Sequence, residues 1–228
     1  MIDIEHHFVE KGEGEALILL HGNGEDNSYF EHQTDVFAKH FRVFALDTRG
    51  HGKTPRGTAP FSIRQFALDL LAFMDRMCLP KAILLGFSDG GNIALEFALE
   101  HPERVSKLIL NGANLSPSGV KRNVQIPIVI GYRVARFFST FGSGAKQHAE
   151  MLGLMVNEPH VEPSALQRLT MPTLVIAGTN DMIKEEHTRL IASSIPGAIL
   201  TFAEGDHFVA NKHPKEFNEV VLRFLMPS

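Results

Sequence analysis

Runs of hydrophobic residues alternate along the chain with stretches in which hydrophobic residues recur every three to four positions. Ala16–Leu20 and Ala82–Leu85 are continuously hydrophobic, as is typical of strands buried on both faces of a sheet. Ile63–Met77 has the hydrophobic period of an amphipathic helix. The alternation predicts an α/β fold, with a mostly parallel sheet covered by helices on both faces. The other predicted strands are Ile4–Glu10, Phe41–Leu46, Val105–Leu110, Thr173–Ala177 and Ala198–Phe202, and the other predicted helices are Tyr29–Lys39, Asn92–Glu100, Glu185–Ile195 and Pro214–Leu225.

One region interrupts this alternation. No strand pattern is found between Asn111 and Met171, where Val124–Phe141 and Ala145–Val156 have helical patterns instead. Insertions after sheet strands often lie over a binding site, so we expect residues 115–170 to form a small helical cap, with residues 1–114 and 171–228 forming the core. The alternative is that these helices complete the core. Candidate pocket residues on the cap are Phe137, Phe138, Phe141 and Met155, for which core packing is an equal alternative.

The stretch Gly86–Gly90 joins the strand Ala82–Leu85 to the following helix. A serine flanked by glycines in a tight strand-to-helix turn is the pattern of a nucleophile elbow, in which a bulky flanking side chain would clash. Ser88 is therefore the candidate nucleophile. The alternative is an ordinary Gly/Ser turn, which the strand and helix on either side make less favoured.

A serine nucleophile needs a base, and the base needs an acid to orient it. His207 is the candidate base because it lies just after the strand Ala198–Phe202. Asp181 is the candidate acid because it follows the strand Thr173–Ala177, which places it at the same sheet edge as Ser88 and His207. A helix N-cap is the alternative role for Asp181, and Asp206 is the second choice for the acid.

Attack on a carbonyl also requires donors for the developing oxyanion. The backbone N–H of Asp89, directly after the nucleophile, is one candidate. Asn23 in the loop after Leu20 is the other, with Gly24 as the second choice. The side chain of Asp89 has two interpretations: a charge that interacts with the helix dipole, or a pocket group that favours cationic substrates.

Five motifs, in this order along nearly the whole chain, resemble the α/β-hydrolase fold family. The resemblance implies a sheet of about eight strands, a small cap, and Ser88, Asp181 and His207 as a catalytic triad. The chain is short at its N-terminus for this family, so the first edge strand is expected to be brief or missing. The motifs are His21–Gly24, Asp47–Gly52, Gly86–Gly90, Gly178–Asp181 and Gly205–Phe208.

These residues predict a serine hydrolase, in first place a carboxylesterase acting on small esters through an acyl-enzyme. A serine nucleophile argues against haloalkane dehalogenase and epoxide hydrolase chemistry, for which similar proteins use a carboxylate. Thioesterase, lactonase, amidase, carbon–carbon bond hydrolase and cofactor-free perhydrolase activities remain open. A rival from another class is a non-catalytic binding or signalling protein on the same fold.

The composition of the chain limits the classes of binding partner and the cellular location that we expect for the protein. The net charge of −4 lacks the basic character of a nucleic-acid-binding protein, and no stretch is long and hydrophobic enough to cross a membrane. The single cysteine, Cys78, cannot form an internal disulfide, which favours a reducing, cytoplasmic location. No nucleotide-binding or metal-binding motif is complete. Gly52-Lys53-Thr54, for example, lacks the glycine that a phosphate-binding loop requires at position 47. We therefore expect no cofactor and no metal.

Overall fold

The computed structural model describes residues 3–139 and 143–226 and contains, within them, one seven-stranded sheet. The strand order is β1-β3-β2-β4-β5-β6-β7, in which β1 is antiparallel to β3 and every other neighbouring pair is parallel. The strands are β1 (Phe8–Lys11), β2 (Ala16–Leu20), β3 (Arg42–Leu46), β4 (Ala82–Phe87), β5 (Val105–Asn111), β6 (Thr173–Gly178) and β7 (Ile199–Ala203).

The central strands are hydrophobic throughout because both faces of the sheet are covered. Along β2, Leu17 and Leu19 contribute to one hydrophobic cluster, whereas Ile18 and Leu20 contribute to the cluster on the opposite face. Helices α1 and α8 pack on the first side, and α2, α3 and α6 on the second. The helices are α1 (Glu31–Phe37), α2 (Ile63–Arg76), α3 (Asp89–Glu100), α4 (Arg122–Phe138), α5 (Ser143–Asn157), α6 (Glu185–Ser194), α7 (Val209–Lys212) and α8 (Pro214–Leu225).

The predicted α/β class and the helix-covered, mostly parallel sheet are confirmed, but the expected count of eight strands is one too high for the described residues. The first strand begins at Phe8 and not at Ile4, because the preceding segment packs elsewhere. Asp3 binds Arg49, and the ring of His6 packs edge-on against Phe73 of α2. Among the described residues, only one strand therefore precedes β2, and it forms the antiparallel edge.

Helices α4 and α5 lie between β5 and β6, as the sequence predicts, and α5 rests on the core through one face. Positions 147, 150 and 154 of α5 and position 158, directly after the helix, follow a helical spacing, and each contacts the core. Gln147 Nε2 donates to the carbonyl of Gly50 at 2.9 Å, and Glu150 pairs with Arg56 at 2.7 and 2.9 Å. Leu154 is 2% exposed within the main hydrophobic cluster, and the N–H of Ile63 donates to Glu158 at 2.7 Å. The contacts place α5 over the loops that follow β3, near the carboxyl edge of the sheet.

Candidate active site

Ser88 occupies a sharp turn between β4 and α3. Its φ of +53° and ψ of −120° are a conformation that residues other than glycine rarely adopt. A Cβ on Gly86 would lie 2.2 Å from the carbonyl oxygen of Gly90, and one on Gly90 would lie 2.0 Å from that of Leu20. The turn therefore requires glycine on both sides of the serine, and it leaves Ser88 half-buried at the carboxyl edge of the sheet.

The structure brings Ser88, His207 and Asp181 into one hydrogen-bonded chain. Ser88 Oγ lies 3.0 Å from His207 Nε2, and His207 Nδ1 lies 2.7 Å from Asp181 Oδ1. A carboxylate only accepts hydrogen bonds, so His207 Nδ1 must carry the proton and Nε2 is left to accept the serine hydroxyl. Both His207 and Asp181 are 3% exposed, so the arrangement is largely shielded from water.

The residues around the pair hold it in this geometry. Asp181 Oδ1 also accepts from the N–H of Ile183 at 2.9 Å, within the loop that follows β6. Asp206 instead faces Lys212 and accepts from the N–H of Phe208 at 3.0 Å, so the second choice for the acid does not take the position beside Nδ1. Gly112 follows β5 with φ +62°, and a Cβ there would lie 2.7 Å from His207 Cε1. Gly112 was not among the predicted site residues. Its position directly after a central strand was the available signal.

The two predicted oxyanion donors lie on adjoining segments. Asp89 is the first residue of α3, so its backbone N–H has no partner within the helix. Asn23 lies in the loop after β2, and its backbone N–H donates to no other residue within the described ranges. Its side chain joins the segments, since Asn23 Nδ2 donates to Asp89 Oδ2 at 2.9 Å. Gly24, the second choice, is exposed in the same loop.

The Asp89 side chain belongs to a buried polar network and not to an open cation site. Asp89 is 8% exposed, and its carboxylate accepts from the side-chain amides of Asn23 and Asn92, the second at 3.1 Å. Burial raises the pKa of this carboxyl. Asn92 Nδ2 also donates to Asn114 Oδ1 at 3.0 Å, which extends the network to the segment after β5. The two interpretations of the Asp89 side chain from the sequence, a helix-dipole charge or a pocket group, do not include the amides of Asn23 and Asn92 as partners.

Glu25 is a second carboxyl at the edge of the site that the sequence did not single out. Its Oε2 accepts the backbone N–H of Gly22 at 3.1 Å, which braces the loop that carries Asn23. Burial raises the pKa of Glu25 to about 7, although the bond from Gly22 and the nearby His207 act in the opposite direction. Tyr29 stacks on Phe87 at 4.3 Å beneath this loop.

The predicted pocket residues gain no support from their positions. Phe137 and Phe138 are 69% and 52% exposed near the end of α4. Met155 is half-buried on α5, and Phe141 lies outside the described residues. A cavity of about 510 Å³ is lined by Asp181 together with Lys121 and Arg122, but its described lining includes neither Ser88 nor His207.

Two other kinds of feature are absent from the described ranges. No cluster of three histidine, cysteine or carboxylate side chains is arranged to hold a metal ion. No helix in residues 3–139 and 143–226 combines the length and hydrophobicity needed to span a bilayer.

Comparison with known proteins agrees with the fold. A sequence model of the alpha/beta hydrolase fold matches residues 15–150, and the chain belongs to that family. Among curated relatives, a Rhizobium rhizogenes protein named as a carbamate hydrolase is 30% identical, with 97% of this chain and 96% of the relative covered. A pimeloyl-[acyl-carrier protein] methyl ester esterase from Nitrosospira multiformis is 29% identical, over 77% of this chain and 81% of the relative.

Solved structures extend the likeness of the fold to nearly the whole chain. The enol-lactonase from Burkholderia xenovorans LB400 superposes with a TM-score of 0.82, and the alignment covers 97% of this chain and 96% of that chain. At 22% sequence identity this likeness concerns the fold alone.

Proposed function

We propose that this protein is a serine hydrolase that cleaves small carboxylic esters. The observation that carries the proposal is the chain of hydrogen bonds from Ser88 through His207 to Asp181, set in a strained turn at the carboxyl edge of the sheet. The ester and lactone chemistry in the names of the relatives is consistent with it. Residues 115–170 act in this proposal as a small cap over the site.

Each side chain has one role in the proposed mechanism. Ser88 Oγ attacks the carbonyl carbon of the ester while its proton passes to His207 Nε2. Asp181 orients the imidazole and stabilises its charged form. The backbone N–H groups of Asn23 and Asp89 bind the oxyanion. The C–O bond to the alcohol then breaks, the proton on His207 goes to the alcohol, and an acyl-serine remains. Water, deprotonated by His207, attacks the acyl-serine and releases the carboxylic acid and free Ser88.

Hydrolysis of p-nitrophenyl esters from acetate to decanoate tests this proposal. We expect turnover with an optimum at short chain length, and a loss of at least about 10³-fold in kcat for Ser88→Ala, because that change removes the nucleophile. Equal rates for the two proteins would contradict the assigned nucleophile. If wild type cleaves no ester, thioesters, lactones and amides become the next substrates, and failure on all of them would favour a non-catalytic role.

A further inference from the structure

The N–H of Asn23 belongs to the peptide group that joins Gly22 to Asn23, and Gly24 follows, so neither neighbouring residue has a side chain that could fix the direction of this N–H. An oxyanion donor must be held in place before the reaction, since its contribution depends on preorganised geometry. Two side chains perform this task in the structure. Glu25 holds the N–H of Gly22, and the amide of Asn23 itself bonds outside the loop.

The Asn23 amide has two partners on different parts of the molecule. Its Nδ2 donates to Asp89 Oδ2 at 2.9 Å and to the main-chain carbonyl of Met151 at 2.8 Å. The Met151 carbonyl can only accept a hydrogen bond, so the nitrogen of the amide must face it, and both N–H groups of Nδ2 are used. Asp89 belongs to α3 of the core, whereas Met151 belongs to α5 of the proposed cap, 128 residues away along the chain.

From this geometry we infer that the Asn23 side chain is a positioning group that couples the seating of α5 to the oxyanion hole. The inference rests on the proposed function, since it concerns the donor that the mechanism uses. When α5 lies on the core, the Met151 carbonyl and Asp89 together hold Asn23, and its backbone N–H points consistently. When α5 lifts, one of the two anchors is lost and the donor is held less firmly. The hole is thus fully formed only under a seated cap.

Three variants separate the two anchors. Asn23→Ala keeps the backbone N–H and removes both side-chain bonds. Asp89→Asn removes a charge and serves as the background for the double variant. In Asn23→Asp/Asp89→Asn the donor and acceptor are exchanged, so the bond between positions 23 and 89 is restored while the bond to Met151 stays absent. Asn157→Asp is the matched control, because it makes the same change at an exposed site on α5, where Asn157 Nδ2 donates to the carbonyl of Gly153 at 2.8 Å.

Steady-state kinetics on the best ester is the first readout. We expect kcat to fall about 30-fold in Asn23→Ala and about 5- to 10-fold in the double variant relative to Asp89→Asn, with KM changed less than threefold, since the donor acts mainly in the transition state. Asn157→Asp should retain the wild-type kcat. A double variant as active as Asp89→Asn would overturn the coupling, whereas a wild type without Ser88-dependent turnover would contradict the proposed function instead.

Hydrogen exchange provides a readout that does not depend on turnover. We expect amide protons of residues 151–156 to exchange at least fivefold faster in Asn23→Ala and in the double variant than in the wild type. Unchanged exchange in α5 would overturn the inference whatever the activity, because the helix would then be seated without Asn23.

Discussion

At the scale of single residues, the protonation state of Glu25 affects the stability of the protein. Its carboxyl braces the loop that carries Asn23. Its pKa is raised by burial to about 7, while its ordinary value is 4.5. Between these values the unfolded chain has lost the proton and the folded chain still holds it. The free energy of unfolding therefore falls as the pH rises from about 4.5 to 7. Above that range, the loss of unfolding free energy due to Glu25 stays constant.

Glu25→Gln should remove this cost while it keeps an oxygen that can accept from Gly22. We expect equal unfolding free energies for variant and wild type at pH 4.5, and a variant more stable by about 1–2 kcal/mol at pH 8, because the carboxyl is only partly buried. Urea denaturation at the two pH values measures the difference. Glu31→Gln, at an exposed position of α1, is the control. A gain from Glu25→Gln of the same size at both pH values would contradict the argument.

The chain predicts Ser88, His207 and Asp181 as neighbours because each follows a strand of a parallel sheet, and the carboxyl ends of parallel strands meet at one edge. The contact between Asn23 and Met151 has no such basis. It depends on how α5 is placed on the core, which is determined by side-chain packing and not by strand order. For the same reason, the assignment of Phe137 and Phe138 to a substrate pocket stays a prediction.

At the scale of elements, α5 differs from the simple picture of a separate cap. Leu154 on α5 lies in the main hydrophobic cluster, together with Leu166 and Leu169 from the segment that leads to β6. The hydrophobic pattern predicts the helix itself, since it has the correct period. The pattern does not predict that part of the helix packs into the core, because a leucine buried in a cap and a leucine buried in the core occupy the same positions in the helical period.

Leu154→Ala tests whether α5 is part of the cooperative unit. Leu154 is 2% exposed, so we expect a loss of about 2–4 kcal/mol in unfolding free energy within a single transition. Leu152→Ala, at a half-buried position of the same helix, should cost about 1 kcal/mol or less. If the helix unfolds as an independent flap, Leu154→Ala will instead leave the main transition unchanged, as followed by circular dichroism in urea.

At the scale of the whole molecule, Arg49 connects parts of the chain that are far apart in sequence. Arg49 is 1% exposed. Its guanidinium donates to both carboxylate oxygens of Asp69 on α2 at 2.7 Å and to Asp3 near the N-terminus, also at 2.7 Å. It also donates to the carbonyl of Arg56 at 3.0 Å, and the Arg56 side chain in turn pairs with Glu150 on α5. One buried cation thus links the N-terminal segment, the loop after β3 and α2, and through Arg56 it is connected to Glu150 on α5.

Removing the Arg49 cation alone should lower the unfolding free energy more than removing both Arg49 and Asp69. Arg49→Met leaves the carboxylate of Asp69 buried without its main partner, so we expect a loss of about 3–5 kcal/mol in unfolding free energy. Arg49→Met/Asp69→Leu buries no unpaired charge at these positions and should recover at least half of that loss. Urea denaturation of the two variants and wild type measures the difference. A double variant as unstable as the single one would mean that the bonds of Arg49 to Asp3 and Arg56, and not the buried pair, determine the cost.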